Sequence, residues 1–144
     1  MEEKQLKVRR VRKRERKEFV CLFIHSIFIN SYLYLYYSFI TALLRSGDYH
    51  VIGAVRDLDK MEVVAEVDGF DMDNFTPMHL ELNSFASVRK FCDDIKEYKM
   101  TKPIDRLICN AGVYQPSLDY AKWSAEGHEQ TMQVNFLSHF LMIR

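Results

Sequence analysis

Apolar residues fall along this chain in two rhythms. From Tyr49 to Val55 they run almost without interruption (YHVIGAV), the pattern of a strand covered on both faces, as in a parallel sheet. Over 58–67 they instead recur on one side of a helix, at Leu58, Met61, Val64 and Ala65, behind Asp57, which suits the cap position. The alternation repeats. Gly69 and Asp71 to Asn74 make a loop, and a strand is predicted over 75–81, with Pro77 near its start. Ser84 then opens an amphipathic helix over 84–98. Val88, Phe91, Cys92, Ile95 and Tyr98 hold its apolar side; Arg89, Lys90, Asp93, Asp94 and Lys96 hold the wet side. Lys102-Pro103 breaks that helix before a third strand over 104–109, and a last helix is predicted over 125–143. Strands alternating with helices of this length build βαβ units, joined right-handed into a parallel sheet. The predicted fold class is α/β: part of a doubly wound parallel sheet with three recognisable strands.

The first 44 residues break the rhythm. Residues 1–18 carry nine Lys/Arg and four Glu and read as a basic arm. Residues 19–44 carry no charge at all. As one helix that stretch would be about 39 Å long, more than the roughly 30 Å of a bilayer core, so a membrane segment is one reading. His25, Asn30 and several Ser and Tyr speak against lipid on all sides, and no small-residue cleavage site follows to make it a signal peptide. From 45 onward the chain is mildly acidic, with eleven Lys/Arg against sixteen Asp/Glu. Nothing there suggests nucleic acid. Cys21, Cys92 and Cys109 are too scattered for a disulfide framework, and no histidine spacing suits a metal.

The stretch from Ile104 to Phe140 holds the candidate chemistry. A strand ending in Asn110-Ala111-Gly112, followed by a helix carrying Asn135, resembles the short-chain dehydrogenase/reductase family. Within that family the NAGVYQP run, the Glu126-Gly127 pair and the NFLSHF run are most similar to the light-dependent protochlorophyllide oxidoreductases. The resemblance covers about Leu43 to Arg144. It implies a Rossmann-like fold, NADPH as cofactor, protochlorophyllide as substrate and a plastid location. The segments then become a basic arm (1–18), an apolar segment (19–44) and an incomplete NADP-binding domain (45–144).

Site residues follow position by position. Arg56, just after the first recognisable strand, is implied to meet the 2′-phosphate of NADPH. Glu81 and Leu82 end the next strand, where the family contacts adenine; Glu81 is one methylene longer than the usual Asp. Asn110, Ala111 and Gly112 are implied to border the nicotinamide ribose, small side chains letting a ligand approach the backbone. Asn135 is implied to hold a water in the proton relay. A helix interior does not favour Asn, which is consistent with a side-chain task. Cys109 and Tyr114 are implied to face the pigment, with Tyr120 and Trp123 as weaker candidates. His139 reads as structural and His128 as exposed. Each also has an ordinary reading: solvated charge, strand-to-loop turn, core thiol, or an Asn bonded to a neighbouring carbonyl.

Two family parts are not recognised. Counting back from Gly47, the glycines of the TGxxxGxG loop would fall near Asn30, Tyr34 and Tyr36, and no glycine precedes Gly47. The tail 41–46, closed by Gly47, still resembles the end of the family's first helix. Nor is a catalytic Tyr with Lys four residues on recognised: Tyr114 has Leu118 and Tyr120 has Ser124 at that offset. Residues 19–44 therefore keep three readings: an N-terminus replaced by altered splicing, a membrane segment, or a divergent strand and helix. The functional expectation is a fragment of an NADPH-dependent protochlorophyllide reductase, inactive by itself. A generic NADP-dependent short-chain reductase fragment and a non-catalytic remnant are the alternatives.

Overall fold

The computed structural model describes residues 17–22, 39–98, 103–115 and 119–144. Four parallel strands form one sheet: β1 (Lys17–Leu22), β2 (Tyr49–Val55), β3 (Phe75–His79) and β4 (Arg106–Ile108), in the order β3-β2-β1-β4. Helix α1 covers 39–46, α2 spans Leu58–Val67, α3 spans Phe85–Tyr98, and α4 runs over 130–143. β1 falls partly within 19–44, where a divergent strand and helix is one of the readings, but it starts earlier, at Lys17. It pairs with β2 from Lys17↔Tyr49 to Leu22↔Ala54, and with β4 from Phe19↔Arg106 to Cys21↔Ile108. The basic arm thus gives up its last two residues to the sheet. The uncharged stretch is divided, with strand to Leu22 and helix from 39. Positions 23–38 lie outside the described residues. Among the described residues no helix is long and apolar enough to cross a membrane.

β2 shows why the sheet needs cover on both faces. Its side chains alternate, Val51 toward one side and Ile52 and Ala54 toward the other, all of them buried. Val51 meets Ile40, Leu44, Ala65 and Phe75, a cluster built from α1, α2 and β3. Ile52 and Ala54 meet Leu80, Leu82, Val88, Phe91, Ile95, Ala111 and Val134, a cluster built from α3 and α4. Helices therefore lie on both faces, as the apolar runs predict.

The caps match their sequence signals. The Asp57 carboxylate accepts from the Lys60 amide at 3.1 Å, and the Ser84 hydroxyl accepts from the Ser87 amide at 3.3 Å. Gly47 closes α1 with φ of 67°, a left-handed conformation that a side chain would disfavour. Pro77 is tolerated because β3 is an edge of the sheet, where a missing amide leaves no ladder bond unmade.

Three predicted elements shift their bounds. β3 ends at His79 rather than 81, and β4 is confined to Arg106–Ile108 within the predicted 104–109. β4 is also less buried than its apolar pattern implies. It lies at the other edge of the sheet, with Ile104 and Leu107 exposed. The last helix begins at 130, not 125. A turn intervenes in which Gly127 takes φ of 79°, Trp123 pairs with Glu129 in an antiparallel bridge, and the Gln130 amide bonds to the Lys122 carbonyl.

Candidate functional site

Parallel strands end together, so the sheet has one edge formed by strand C-termini. The chain builds outward from β1 through β2 to β3, and then returns to the far side of β1 as β4. Ligands of open α/β sheets bind outside the strand C-termini at such a reversal. Arg56 follows β2 there, Glu81 and Leu82 follow β3, and Cys109 to Gly112 follow β4. The segment after β1, including Asn30, Tyr34 and Tyr36, lies outside the described residues.

Arg56 and Glu81, predicted as separate cofactor contacts, face each other. The Arg56 Nε lies 3.9 Å from Glu81 Oε2. The second oxygen, Glu81 Oε1, accepts from the Asn83 amide at 2.8 Å, and the Glu81 amide donates to the Ser87 hydroxyl at 2.9 Å. Asp57 next door is committed elsewhere. It caps α2 and lies 3.3 Å from the Lys60 ammonium. The Lys60 amide is the main cause holding its carboxyl below the usual range. Leu82 is fully buried in the core, so its side chain supports the loop and presents nothing to a ligand.

The end of β4 is held by α4. The Asn135 side-chain amide pairs with one backbone unit of the loop: Oδ1 accepts from the Val113 amide at 2.7 Å, and Nδ2 donates to the Val113 carbonyl at 2.8 Å. Gly112 is required beside it. A Cβ there would stand 3.1 Å from Asn135 Oδ1, tighter than ordinary contact. One turn on, His139 Nε2 lies 2.8 Å from the Ala111 carbonyl, and the Ser138 hydroxyl donates to the Leu82 carbonyl. His139 is thus structural, as expected, whereas Asn135 is exposed to solvent. The middle of α4, Gln133–Leu137, is a π turn, closed by the Ser138 amide bonding to the Gln133 carbonyl. The wider turn puts Gln133 and Ser138, five apart, on the buried face while Asn135 reaches Val113.

Residues that sequence reasoning passed over hold this arrangement. Glu126 Oε1 accepts from the Phe85 amide at the start of α3 at 2.7 Å, and its Oε2 accepts from Gln133 Nε2 at 2.8 Å. The Gln133 bond, then the Phe85 amide, hold its carboxyl below the usual range. Glu129 caps α4 by accepting from the Thr131 and Met132 amides, which lower its pKa in turn. The Glu126-Gly127 pair carried the family resemblance without a role; Glu126 forms this brace and Gly127 makes the turn beside it. Gln133 carries no sequence signal, since a fully buried Gln reads as a surface residue.

Cys109 is exposed, yet atoms around its sulfur desolvate the thiolate and raise its pKa, which argues against a reactive nucleophile. Tyr114, Tyr120 and Trp123 stand about two-thirds exposed on the loop between β4 and α4. His128 is exposed beside the Phe85 ring. Among the described residues no group of His, Cys, Asp and Glu could hold a metal.

One Tyr–Lys spacing does occur, Tyr98 and Lys102, which the motif reading overlooked. Tyr98 ends α3 at the opposite edge of the sheet. Its hydroxyl lies 3.0 Å from Thr76 Oγ1 and 3.2 Å from His50 Nε2, near the starts of β3 and β2. It ties α3 to two strands, far from the strand C-termini, and Lys102 lies outside the described residues.

Comparison with known proteins agrees with the geometry. The short chain dehydrogenase family model matches residues 38–144. Protochlorophyllide reductase A, chloroplastic, of Arabidopsis thaliana is 45% identical over 103 residues, 72% of this chain and 25% of the relative. Protochlorophyllide reductase of Avena sativa is 41% identical over the same share of this chain and 32% of its own length. The chain thus spans about a quarter to a third of the relatives it matches. Among solved structures, the putative carbonyl reductase Sniffer of Caenorhabditis elegans superposes with a TM-score of 0.63 at 17% identity, covering 89% of this chain and 50% of that one. An alcohol dehydrogenase from Thermococcus sibiricus, complexed with 5-hydroxy-NADP, superposes at 0.55 with 21% identity, covering 88% and 51%. With a parallel sheet of order β3-β2-β1-β4 and the family match across residues 38–144, this chain belongs to the short-chain dehydrogenase/reductase family.

Proposed function

We propose that this chain forms the cofactor-side wall of an NADPH-dependent, light-driven protochlorophyllide reductase acting in the plastid. The observation that carries the reading is the Asn135 clamp on Val113 over Gly112. It fixes the loop after β4 at the place where a nicotinamide ribose would lie. The protochlorophyllide reductase relatives support the substrate class, and their chloroplast names support the location. Bound NADPH would supply a hydride. This chain's own residues bind and orient. The Arg56 guanidinium offers a planar fork to a 2′-phosphate. Gly112 makes room for the Asn135 side chain, and the Asn135 amide keeps one lone pair and one N–H beyond its two bonds to Val113 for a relay water. Cys109 and Tyr114 stand near the mouth as pigment contacts, and Glu81 acts at the adenosine end. No residue of the 144 is assigned as the proton donor, since Tyr98 stands at the wrong edge, and none as the pyrophosphate cradle. One Arg–phosphate hydrogen bond contributes only about 1.5–3 kcal/mol and does not replace a cradle.

The 144-residue product by itself is accordingly expected to show no NADPH binding at micromolar concentration and no light-dependent loss of protochlorophyllide absorbance. Residues 39–144, exchanged for the matching segment of an active protochlorophyllide reductase, should preserve light-dependent turnover. Arg56→Asp in that chimera should shift preference from NADPH toward NADH. A chimera that turns over another carbonyl substrate but not the pigment would favour a generic short-chain reductase. A chimera indifferent to Arg56→Asp would remove Arg56 from the site.

A further inference from the structure

We propose that Glu81 weakens the preference of this site for a 2′-phosphate over a 2′-hydroxyl, by holding a carboxylate against the guanidinium that would bind the phosphate. The proposal rests on the reading that Arg56 meets the 2′ position of the adenosine ribose. The approach is one-sided: Arg56 Nε lies 3.9 Å from Glu81 Oε2, with the two side chains 42% and 30% exposed. At that distance and exposure the pair is too weak to fix the guanidinium in one pose. Two opposed effects must be weighed. Orienting Arg56 would help a phosphate, whereas a like charge within a few ångströms of it would repel one. The orienting effect is small because the contact sits at the limit of an ion pair. The repulsion acts on a phosphate carrying nearly two charges, held by a guanidinium whose Nε is itself 3.9 Å from Glu81 Oε2, well inside the screening length of about 8 Å. Repulsion wins.

Glu81 is also held in place for this task. Its Oε1 accepts from the Asn83 amide at 2.8 Å, which aims Oε2 toward Arg56. Asp57, the other neighbouring carboxylate, is drawn off by the Lys60 amide and ammonium. Glu81 is therefore the acid that tunes Arg56. Glu81→Gln removes the charge and keeps an oxygen for the Asn83 amide, so the loop is preserved.

The test uses the 144-residue chain with adenosine 2′,5′-bisphosphate and adenosine 5′-monophosphate, titrated to millimolar levels and followed through the Arg56 Nε–H and neighbouring amide resonances. The wild type should prefer the bisphosphate, and Arg56→Gln should abolish that preference. Glu81→Gln should enlarge it by about two- to fivefold at low salt, in line with one exposed charge contact, and less at high salt. Unshifted Leu80 and Val88 amides, which bond to the Val55 and Ser84 carbonyls and not to residue 81, show in Glu81→Gln that the loop has not moved. If Glu81→Gln leaves the preference unchanged or lowers it while Arg56→Gln abolishes it, the proposal for Glu81 is overturned and Arg56 keeps its role. If the wild type does not distinguish the two ligands, or Arg56→Gln leaves its preference intact, the reading of Arg56 falls and this proposal falls with it.

Discussion

At the scale of single residues, Asn135 serves as a substitute peptide group. Its amide satisfies both the donor and the acceptor of Val113, in a loop with no strand partner to do so. Asn135→Ala removes both bonds. Because the site is exposed, water takes over part of the loss, and the cost should be about 1–2 kcal/mol at the usual net worth of two hydrogen bonds. Urea denaturation measures the cost, and amide exchange locates it: Val113 should lose protection while Val51 and Ile52 in the buried strand keep theirs. Uniform loss across the sheet would show that Asn135 supports the whole fold and not this loop. Glu129 and Glu126 add a pH dependence. Both carboxyls are held below their ordinary value of 4.5 by hydrogen bonds formed only on folding. As pH falls, the unfolded chain takes up protons first. Their stabilisation is present above about pH 4.5 and is lost as pH drops through the lower folded values. The urea midpoint should fall across that window. Glu129→Gln should flatten the fall, and a variant as steep as the wild type would assign the acid sensitivity to other groups.

At the scale of elements, what the sequence revealed depended on how local its cause was. β2 and α2 matched their predicted bounds because an unbroken apolar run and an Asp cap at residue 57 are local signals. The start of α4 did not. Its N-terminus is set by a turn at Gly127 and a bridge between Trp123 and Glu129, which only the folded chain brings together. The π turn escaped for a similar reason: helical periodicity cannot show that Gln133 and Ser138 share a face. β1 had no predicted bounds because residues 19–44 lack charge throughout, and an uncharged run erases the contrast by which a strand is told from a helix. Arg56, Asn110 to Gly112 and Asn135 were singled out as candidates through the family motif. Their mutual arrangement was not legible, since the Arg56–Glu81 pair joins the ends of two strands and the Asn135 clamp joins a helix to a loop. The spacing of Tyr98 and Lys102 teaches the converse. A motif can be present in the letters and stand at the wrong edge of the sheet.

At the scale of the whole molecule, β1 is the strand on which the sheet depends. It lies between β2 and β4 and bonds to both. Without it, β2 and β4 would face each other across the width of a missing strand, and two buried faces would open. A chain reduced to residues 39–144 should therefore aggregate or stay loosely packed, with no cooperative melt. A soluble monomer of that length with a sharp transition would show that β2, β3 and the helices hold together unaided. The same placement bears on events at the ribosome. β1 leaves the exit tunnel first and finds β2 soon afterwards, but its other edge must wait for Arg106–Ile108. At translation speeds of about 5–20 residues per second, the roughly 50 residues between β2 and β4 take several seconds to emerge. Through that interval the nascent chain presents an open strand edge, the feature on which chaperones and stray strands compete.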